Sequence, residues 1–451
     1  MGLLSPVRTG AGSLGRAMTA GVGHGAGLKE ALGRLDELVN WERADRAGGM
    51  EHSLAPIRDI LARLGEPSRR WRSVHVAGTK GKGSVCALVA EGLCRAGLRT
   101  GVYASPHVER VTERVRVNGA EVSEEELTAV LGEVWGARQA ALEVAGAGAA
   151  ATWFDLVTAA AFLVLCRARV AWGVIECGIG GRLDSTNVLT SDVAVLTNLD
   201  LEHTSTLGTT LAAIAAEKGA ILAPGRVLVT AAEQPEALAV LEGIVRERRG
   251  RLVRVNAQGS FAQRNRAVAA TVLDELGAGG DRTAAGEPLS GALLDDDACR
   301  AARLPARAER FLLEGRAVVL DAAHVASSVE GLLDELEGDE ALGGRPQVVL
   351  ALGRDKDSGA VLKALRGRVD RCFVTSTSCG PLLAACELTA AAAAAGLDAE
   401  ACDLPRQALD RARAAIGDQG WILVIGSFYL AGELRGLLSG QCSQPDPPSP
   451  C

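Results

Sequence analysis

The chain has 451 residues, of which 48% are hydrophobic and 23% charged, and its formal net charge is −7. This length predicts about two or three domains, each large enough to bury its own core. The negative charge and an aromatic content of only 3% argue against general nucleic-acid binding. No apolar run reaches the roughly 18 residues that cross a membrane. Eleven cysteines without a C-x-x-C pair argue against a disulfide framework and a zinc site of common spacing.

The N-terminal segment 1–28 contains arginines, serines and threonines but no acidic residue. This composition is typical of an organellar transit peptide and equally of a loose Gly/Ala leader, so both the cytoplasm and the mitochondrion remain open as locations. From Lys29 to Leu64 the apolar residues recur at helical spacing. We therefore expect a leader followed by a helical lead-in.

The segment 72–84, R-S-V-H-V-A-G-T-K-G-K-G-S, is an apolar strand that breaks into a turn rich in glycine and lysine. Helical spacing returns from Val85 to Arg95, so the turn lies between a strand and a helix. Free backbone N–H groups and the positive end of the helix favour an anion at such a turn. The segment therefore predicts a phosphate-binding loop, although the common pattern G-x-x-x-x-G-K-[ST] does not match.

Three polar residues follow predicted strands further along the chain: Ser105, Glu176 and His203. Open α/β sheets place their ligands at the carboxyl ends of the strands, where all three are expected. A buried carboxylate without a partner costs several kcal/mol, so a cation is the natural partner of Glu176. A mixed set of oxygen and nitrogen ligands beside a phosphate loop suits Mg²⁺ that keeps some of its waters.

Strands and helices alternate along the rest of the chain, which predicts an α/β fold. We expect an N-terminal P-loop-type parallel-sheet ATPase domain over 29–276 and a smaller, Rossmann-like C-terminal α/β domain over 304–439. The segment 277–303, rich in Gly, Ala and acids and without periodicity, is expected to be a linker. The proline-dense segment 440–451 is expected to be a disordered tail.

Several motifs together resemble one family. These are G-T-K-G-K-G-S, Y-A-S-P-H with E-R-V-R-V-N-G, E-C-G-I-G-G-R-L-D-S-T-N and, near the C-terminus, G-S-F-Y-L-A-G-E. They are similar to motifs of the Mur-type ATP-dependent amide ligases, and most of all to the folylpolyglutamate synthase and dihydrofolate synthase branch. The resemblance implies ATP and Mg²⁺ as cofactors, and folate or dihydropteroate and L-glutamate as the joined substrates. It implies reaction through an acyl phosphate, with no nucleic-acid or membrane partner, and we expect a monomer.

The same resemblance assigns roles to individual residues. Magnesium ligands would be Ser105, Glu176, His203 and, if it is carbamylated as is common in the family, Lys218. Catalytic residues would be Lys82, Lys218 and His324, and the incoming glutamate would contact His324 and Ser427. Contacts with ATP would come from Gly78, Thr79, Gly81, Lys82, Gly83, Ser84, Asn265, Arg307 and Asp321.

The chain departs from the family pattern at three places in its C-terminal half. Ala306 and Ala322 replace glycines, and Val325–Ala326 replaces the common Asn-Pro. An alanine side chain narrows a turn that glycine keeps open, so reduced activity is one expectation. Two alternatives stay open: a Mur-type ligase acting on another carboxylate and, suggested by the departure at 321–326, a non-catalytic nucleotide-binding homologue.

Overall fold

The computed structural model describes residues 25–40, 53–416 and 420–441. These residues form two α/β units, each built on a mostly parallel sheet with helices on both faces. The predicted α/β fold class is therefore confirmed. Among the described residues, no helix combines the length and the apolar character that a membrane span needs.

Eight strands form the first sheet: β1 (Arg72–Ala77), β2 (Thr100–Tyr103), β3 (Val115–Val117), β4 (Ala120–Glu121), β5 (Trp172–Glu176), β6 (Val193–Leu196), β7 (Val227–Thr230) and β8 (Arg251–Arg254). Their order is β4-β3-β2-β5-β1-β6-β7-β8. Only the β2–β3 and β3–β4 pairs are antiparallel. The turn after β1 therefore lies at the centre of the sheet, between the ends of β5 and β6.

Ten helices accompany this sheet: α1 (Ala26–Leu35), α2 (Ala55–Arg63), α3 (Lys82–Arg95), α4 (Glu124–Glu143), α5 (Trp153–Arg167), α6 (Thr204–Leu207), α7 (Leu211–Gly219), α8 (Pro235–Glu247), α9 (Phe261–Ala278) and α10 (Asp296–Ala301). Val74 and Val76 of β1 are buried against α3 and α9, whereas Ala77 belongs to a core with α7 and α8 on the other face. The strand therefore buries both of its faces, as its nearly continuous apolar run predicts. Ser123 caps α4 by accepting a hydrogen bond from Glu126 N.

The second sheet has six strands: β9 (Glu309–Leu313), β10 (Arg316–Leu320), β11 (Gln347–Leu350), β12 (Arg371–Val374), β13 (Ala399–Ala401) and β14 (Ile422–Ile425). Their order is β13-β12-β11-β14-β10-β9, and only β9 runs antiparallel to its neighbour. The helices of this unit are α11 (Ala326–Glu337), α12 (Ser358–Leu365), α13 (Ala385–Ala394), α14 (Pro405–Ala415) and α15 (Phe428–Gln441). Separate apolar cores lie on its two faces. Short 3-10 turns in the chain occur at Pro67–Arg70, Val111–Arg114, Ala147–Ala150, Ser185–Val188 and Gly291–Leu293.

The expected linker 277–303 is not a free connection. Leu289, Leu294 and Ala298 are buried in the same core as α3 and α9, so this segment packs onto the first unit. Gly277 permits that packing, because a Cβ there would lie 1.9 Å from the carbonyl oxygen of Leu289. The segment connects the two units, and a few apolar residues among its small and acidic ones anchor it to the first unit.

The expected leader, 1–28, and the expected tail, 440–451, can be compared with the structure only in part. Residues 1–24, most of the expected leader, and residues 442–451, most of the expected tail, lie outside the described residues. The helix α1 begins at Ala26, and Leu28 is buried in the first core. The last residues of the expected leader are thus part of the folded unit, and α15 likewise extends to Gln441.

Candidate active site

The predicted phosphate loop connects β1 to α3. Gly78 has φ +143°, and a Cβ there would lie 1.9 Å from Thr197 Oγ1 at the end of β6. The end of β6 also holds the loop, because Asn198 O accepts from Thr79 N at 3.0 Å and Asn198 Oδ1 accepts from Lys80 N at 2.8 Å. Glycine at position 78 is therefore needed to let the loop approach the end of β6, and the hydrogen bonds from that strand end hold the loop in place.

Gly81 and the side chain of Asn265 lie in close contact. Gly81 has φ +79°, and a Cβ there would lie 2.3 Å from Asn265 Oδ1 on α9. Gly83 and Ser84 follow in the first turn of α3, and all four residues line one cavity. The structure thus brings the predicted ATP contacts of the first unit together at the start of α3.

Lys82 and Lys218 both bond to carbonyl oxygens of the phosphate loop. Lys82 Nζ donates to Gly78 O at 3.2 Å and Thr79 O at 3.3 Å, and Lys218 Nζ donates to Gly78 O at 2.9 Å. Burial, and then the neighbouring Lys82 charge, lower the pKa of Lys218 to about 8. Lys218 is therefore not the solvated surface lysine that its place on a short helix would otherwise suggest.

Glu176 lies at the end of β5, beside the phosphate loop, with 5% of its surface exposed. Its Oε2 accepts a hydrogen bond from Ser105 N at 3.1 Å, and a Cβ on Gly83 would lie only 3.4 Å from the same atom. Burial raises the pKa of Glu176 above its ordinary value, although the Lys82 charge opposes the shift. The carboxylate is thus only partly compensated within the protein, and a cation beside it would complete its environment.

His203 has φ +53° and directly precedes α6, and it lines the same cavity as Ser105 and Glu176. No group of three or more His, Cys, Asp or Glu side chains with metal-binding geometry occurs in the described part of the chain. With Ser105, Glu176 and His203 as candidate donors on this wall, a cation would complete its shell with phosphate oxygens and water. That arrangement suits Mg²⁺ better than a transition metal.

Arg307 and Asp321 form the part of the second unit that faces this loop. Asp321 accepts hydrogen bonds from Ala308 N and Ala323 N, both at 2.7 Å. Burial raises the pKa of Asp321, and the Arg307 charge opposes the shift. The Arg307 guanidinium carbon lies 4.9 Å from the ring centre of Phe428, and its cationic end lines the cavity.

His324 is held by a hydrogen bond from its ring to the backbone. Its Nδ1 donates to Ala322 O at 2.8 Å, which leaves Nε2 as the nitrogen that can accept a proton. Burial, and then the Lys356 charge, lower the pKa of His324. Ser427 lines the same cavity, and its Oγ accepts from Tyr429 N at 3.0 Å at the start of α15.

Of the two alanines that replace glycines, Ala306 and not Ala322 adopts a backbone conformation that favours glycine. Ala306 and Ala308 adopt φ +51° and +45°, a conformation that favours glycine, whereas Ala322 has no positive φ. The turn that was expected to narrow at Ala322 is therefore ordinary. The backbone strain of this region lies instead in the segment that carries Arg307.

Lys80 and Glu202 also line the cavity, although the motifs gave no role to either residue. Burial alone would raise the pKa of Glu202, but the positive groups of His203, Lys82 and Lys356 outweigh it and hold the pKa below its usual range. Glu202 thus lies among cations from both units. Its position next to His203 was the available signal.

Apart from Gly78 and Lys218, the predicted site residues line one cavity of about 2190 Å³ between the two units. One wall presents the loop amides, Lys82 and Glu176, and the other presents Arg307, His324 and Ser427. The first wall can hold a polyphosphate with a cation, and the second can hold a small anionic acceptor. The arrangement therefore suits transfer of a phosphoryl group followed by attack of a second substrate.

Comparisons with known proteins agree with this geometry. The Mur ligase, glutamate ligase domain family matches residues 306–428. The chain is 30% identical over 406 residues to the dihydrofolate synthase/folylpolyglutamate synthase of Escherichia coli, covering 85% of this chain and 90% of that protein. The chain spans only 43 to 47% of the length of the first curated relatives it matches, two archaeal proteins and one from Bacillus subtilis.

Solved structures show the same architecture. A Mycobacterium tuberculosis folylpolyglutamate synthase complexed with ADP aligns with a TM-score of 0.80 at 26% identity, covering 92% of this chain and 98% of that one. A bifunctional folylpolyglutamate synthase/dihydrofolate synthase from Yersinia pestis, complexed with AMPPNP and a Mn ion, aligns with a TM-score of 0.74 at 26% identity, covering 91% and 98%.

Proposed function

The chain belongs to the folylpolyglutamate synthase/dihydrofolate synthase family, and from this premise we propose that it is an ATP-dependent ligase that joins L-glutamate to a folate. The accepting carboxyl group would be that of tetrahydrofolate or its polyglutamates, that of dihydropteroate, or both. The observation that carries the proposal is the convergence of the phosphate loop and of His324, Arg307 and Ser427 on one cavity. A ligase needs both walls, because one substrate must be phosphorylated where the other can attack it.

The first wall would bind ATP and magnesium. The amides of the phosphate loop and Lys82 would hold the phosphates, with Asn265, Arg307 and Asp321 completing the nucleotide site. Glu176, Ser105 and His203 would hold Mg²⁺, and the incomplete compensation of the buried Glu176 carboxylate supports this assignment. A magnesium ion there would neutralise charge on the phosphate oxygens.

The reaction would proceed in two balanced steps. The folate carboxylate oxygen attacks the γ-phosphorus of ATP, the bond to the β-phosphate oxygen breaks, and ADP leaves. Lys82 and Arg307 favour the negative charge that develops on the transferred group. The amine of L-glutamate then attacks the acyl carbon, an amide bond forms and phosphate leaves.

His324 would serve the second step. The amine must lose a proton as the amide bond forms, and His324 Nε2 is the nitrogen left free to accept it. Its lowered pKa keeps the imidazole neutral near pH 7, as a proton acceptor requires. Ser427, on the same wall, would help to position the incoming glutamate.

Ligation of radiolabelled L-glutamate, measured separately with dihydropteroate and tetrahydrofolate, tests the proposal. We expect ATP-dependent product with at least one acceptor, and no turnover in the variants Lys82→Ala and Glu176→Ala although both remain folded. Lys363→Ala, a change at an exposed lysine on α12, is the matched control. Near-normal rates in either site variant would refute the assignment. ATP binding without ligation of either folate would favour another carboxylate substrate or a non-catalytic homologue.

We also propose that the protein acts as a monomer, because one chain supplies both walls of the cavity. Sedimentation at catalytic concentrations tests this. The compartment, cytoplasm or mitochondrion, depends on residues 1–28, and a fusion of that segment to a reporter distinguishes the two.

A further inference from the structure

One face of α11 forms a contact between the two units. Ser327 and Gly331 are four residues apart and therefore lie on the same side of the helix. Ser327 contacts Lys80 and Asp200 of the first unit, and a Cβ on Gly331 would lie 2.1 Å from the ring of Phe261 at the start of α9. This side of α11 thus contacts the phosphate loop at Ser327 and helix α9 one turn later, at Gly331.

Lys80 connects the phosphate loop to this helix. Its Nζ donates to Ser327 Oγ and lies 3.6 Å from Asp200 Oδ2, and Ser327 Oγ donates to the same carboxylate oxygen at 3.1 Å. Lys82, two residues later, turns back onto the carbonyl groups of its own loop. The two lysines of the loop therefore face different partners: one faces the loop interior, and the other faces the second unit.

Asp200 and Lys80 are themselves tightly held in the first unit. The backbone at Asp200 is held in place, because Asp200 N donates a hydrogen bond to Thr79 Oγ1 at 3.0 Å. Lys80 O accepts from Thr197 Oγ1 at 2.6 Å. A shift of the phosphate loop would therefore move both groups that contact Ser327.

The start of α11 is suited to an acidic partner. Its N-cap residue, Val325, has no side-chain oxygen, so no side-chain hydrogen bond caps the helix. The Asp200 carboxylate, bonded to the hydroxyl of Ser327 in the first turn, places negative charge near the positive end of the helix. The first unit thus supplies the charge that the local sequence lacks.

We propose that Lys80 is a positioning residue that couples the phosphate loop to the docking of α11, through Ser327 and Asp200. Binding of a triphosphate at the loop would then set the position of the unit that carries His324 and Arg307. This inference rests on the proposed ligase function for its kinetic test. Because about half of the Asp200 side chain is exposed, the pair adds little to stability, and its effect is on geometry.

A double-mutant cycle tests the coupling. The variants are Lys80→Met, Ser327→Ala and their combination, with Lys80→Arg as the charge-conserving variant. Lys363→Met and Ser439→Ala, both at exposed positions, are matched controls. We expect each single variant to lower kcat about tenfold with KM for ATP changed less than about threefold, and the double variant to be no slower than the slower single one. Lys80→Arg should recover much of the rate.

Hydrogen exchange of the segment 326–333 supplies a readout that does not depend on ligation. In the full chain, the ATP analogue AMPPNP with Mg²⁺ should slow exchange in α11 of the wild type, and Lys80→Met should reduce that slowing. If the wild type ligates no glutamate but AMPPNP still slows exchange in α11 and Lys80→Met reduces that slowing, only the proposed function is refuted. Additive kinetic effects would show that Lys80 and Ser327 act independently and would overturn the coupling. A large rise in KM for ATP in Lys80→Met alone would show a direct nucleotide contact and would overturn it as well.

Discussion

Replacing Glu176 by glutamine should make the protein more stable and catalytically inactive. The buried carboxylate accepts a hydrogen bond from Ser105 N, and the Lys82 charge attracts it, yet its pKa remains raised. The free-energy cost of burying the charge therefore exceeds the stabilisation that the Ser105 hydrogen bond and the Lys82 charge provide. Glutamine keeps the shape and an acceptor oxygen without the charge, so we expect a gain of about 1 kcal/mol at pH 7.

The pH dependence of this gain follows from the direction of the shift. A carboxyl group whose pKa is higher in the folded state destabilises the fold when it is ionised, and this penalty disappears as the pH falls toward the unfolded value of 4.5. The advantage of Glu176→Gln should thus be largest at pH 7 to 8, as a rise of about 1–3 °C in Tm. It should shrink toward about pH 5.

Thermal unfolding without nucleotide, followed by circular dichroism across this pH range, measures the effect. Asp155→Asn is the matched control, because Asp155 is also buried but accepts from Thr152 N and Thr152 Oγ1 at 2.8 Å and from Ser185 Oγ at 2.6 Å. Loss of an acceptor there should destabilise the protein by about 1–2 kcal/mol. The ligation rate of Glu176→Gln should fall at least about 100-fold. Destabilisation of Glu176→Gln at pH 7, or a gain independent of pH, would refute the reasoning.

Three further predictions concern the phosphate loop and the contact between the units. With a pKa of about 8, the Lys218 amine is roughly one quarter neutral at pH 7.5, and the neutral amine is the form that carbamylation requires. Bicarbonate should therefore raise the initial rate of enzyme that has been depleted of CO2. Full activity of Lys218→Met would contradict a catalytic role for this lysine. Gly81→Ala and Gly225→Ala share a positive φ, of +79° and +72°, but only the first meets a neighbouring side chain. Both should lose about 1 kcal/mol of stability, and only Gly81→Ala should raise KM for ATP, by about tenfold or more; equal KM values would exclude a role for the close contact. Arg435→Met removes the cation that two partly buried glutamates share, Glu109 in the first unit and Glu309 in the second, so urea unfolding should show a loss of about 3 kcal/mol, against less than about 0.5 for Arg413→Met at an exposed pair.

The phosphate loop and the strand ends were predictable because their physics is local. Glycines between a strand and a helix leave amides free, and an acid after a buried run needs a partner, whatever the rest of the chain does. Gly78 accordingly lies in the turn after β1, and Lys82 and Glu176 line one cavity beside it. Parallel strands also end at a common edge, which explains why Ser105 and Glu176 meet although they are far apart in sequence.

Other features were hidden because their signals are weak or distant. The antiparallel strand β9 and the short strand β13 have few residues, and each is fixed by pairing with a neighbour rather than by its own periodicity. The segment 277–303 looked like a linker because only a few of its side chains are apolar, and their burial depends on a surface built by α3 and α9. Composition cannot report a surface formed elsewhere in the chain.

The sequence by itself determined the α/β class, the phosphate loop and the family, because these depend on periodicity and on motifs of adjacent residues. Only the tertiary structure decided that Lys80 contacts Ser327, that Lys218 lies beneath the loop, and that backbone strain falls at Ala306. Each of these facts depends on the orientation of one packed element against another. Such orientation is the sum of many contacts between residues distant in sequence, so no local pattern records it.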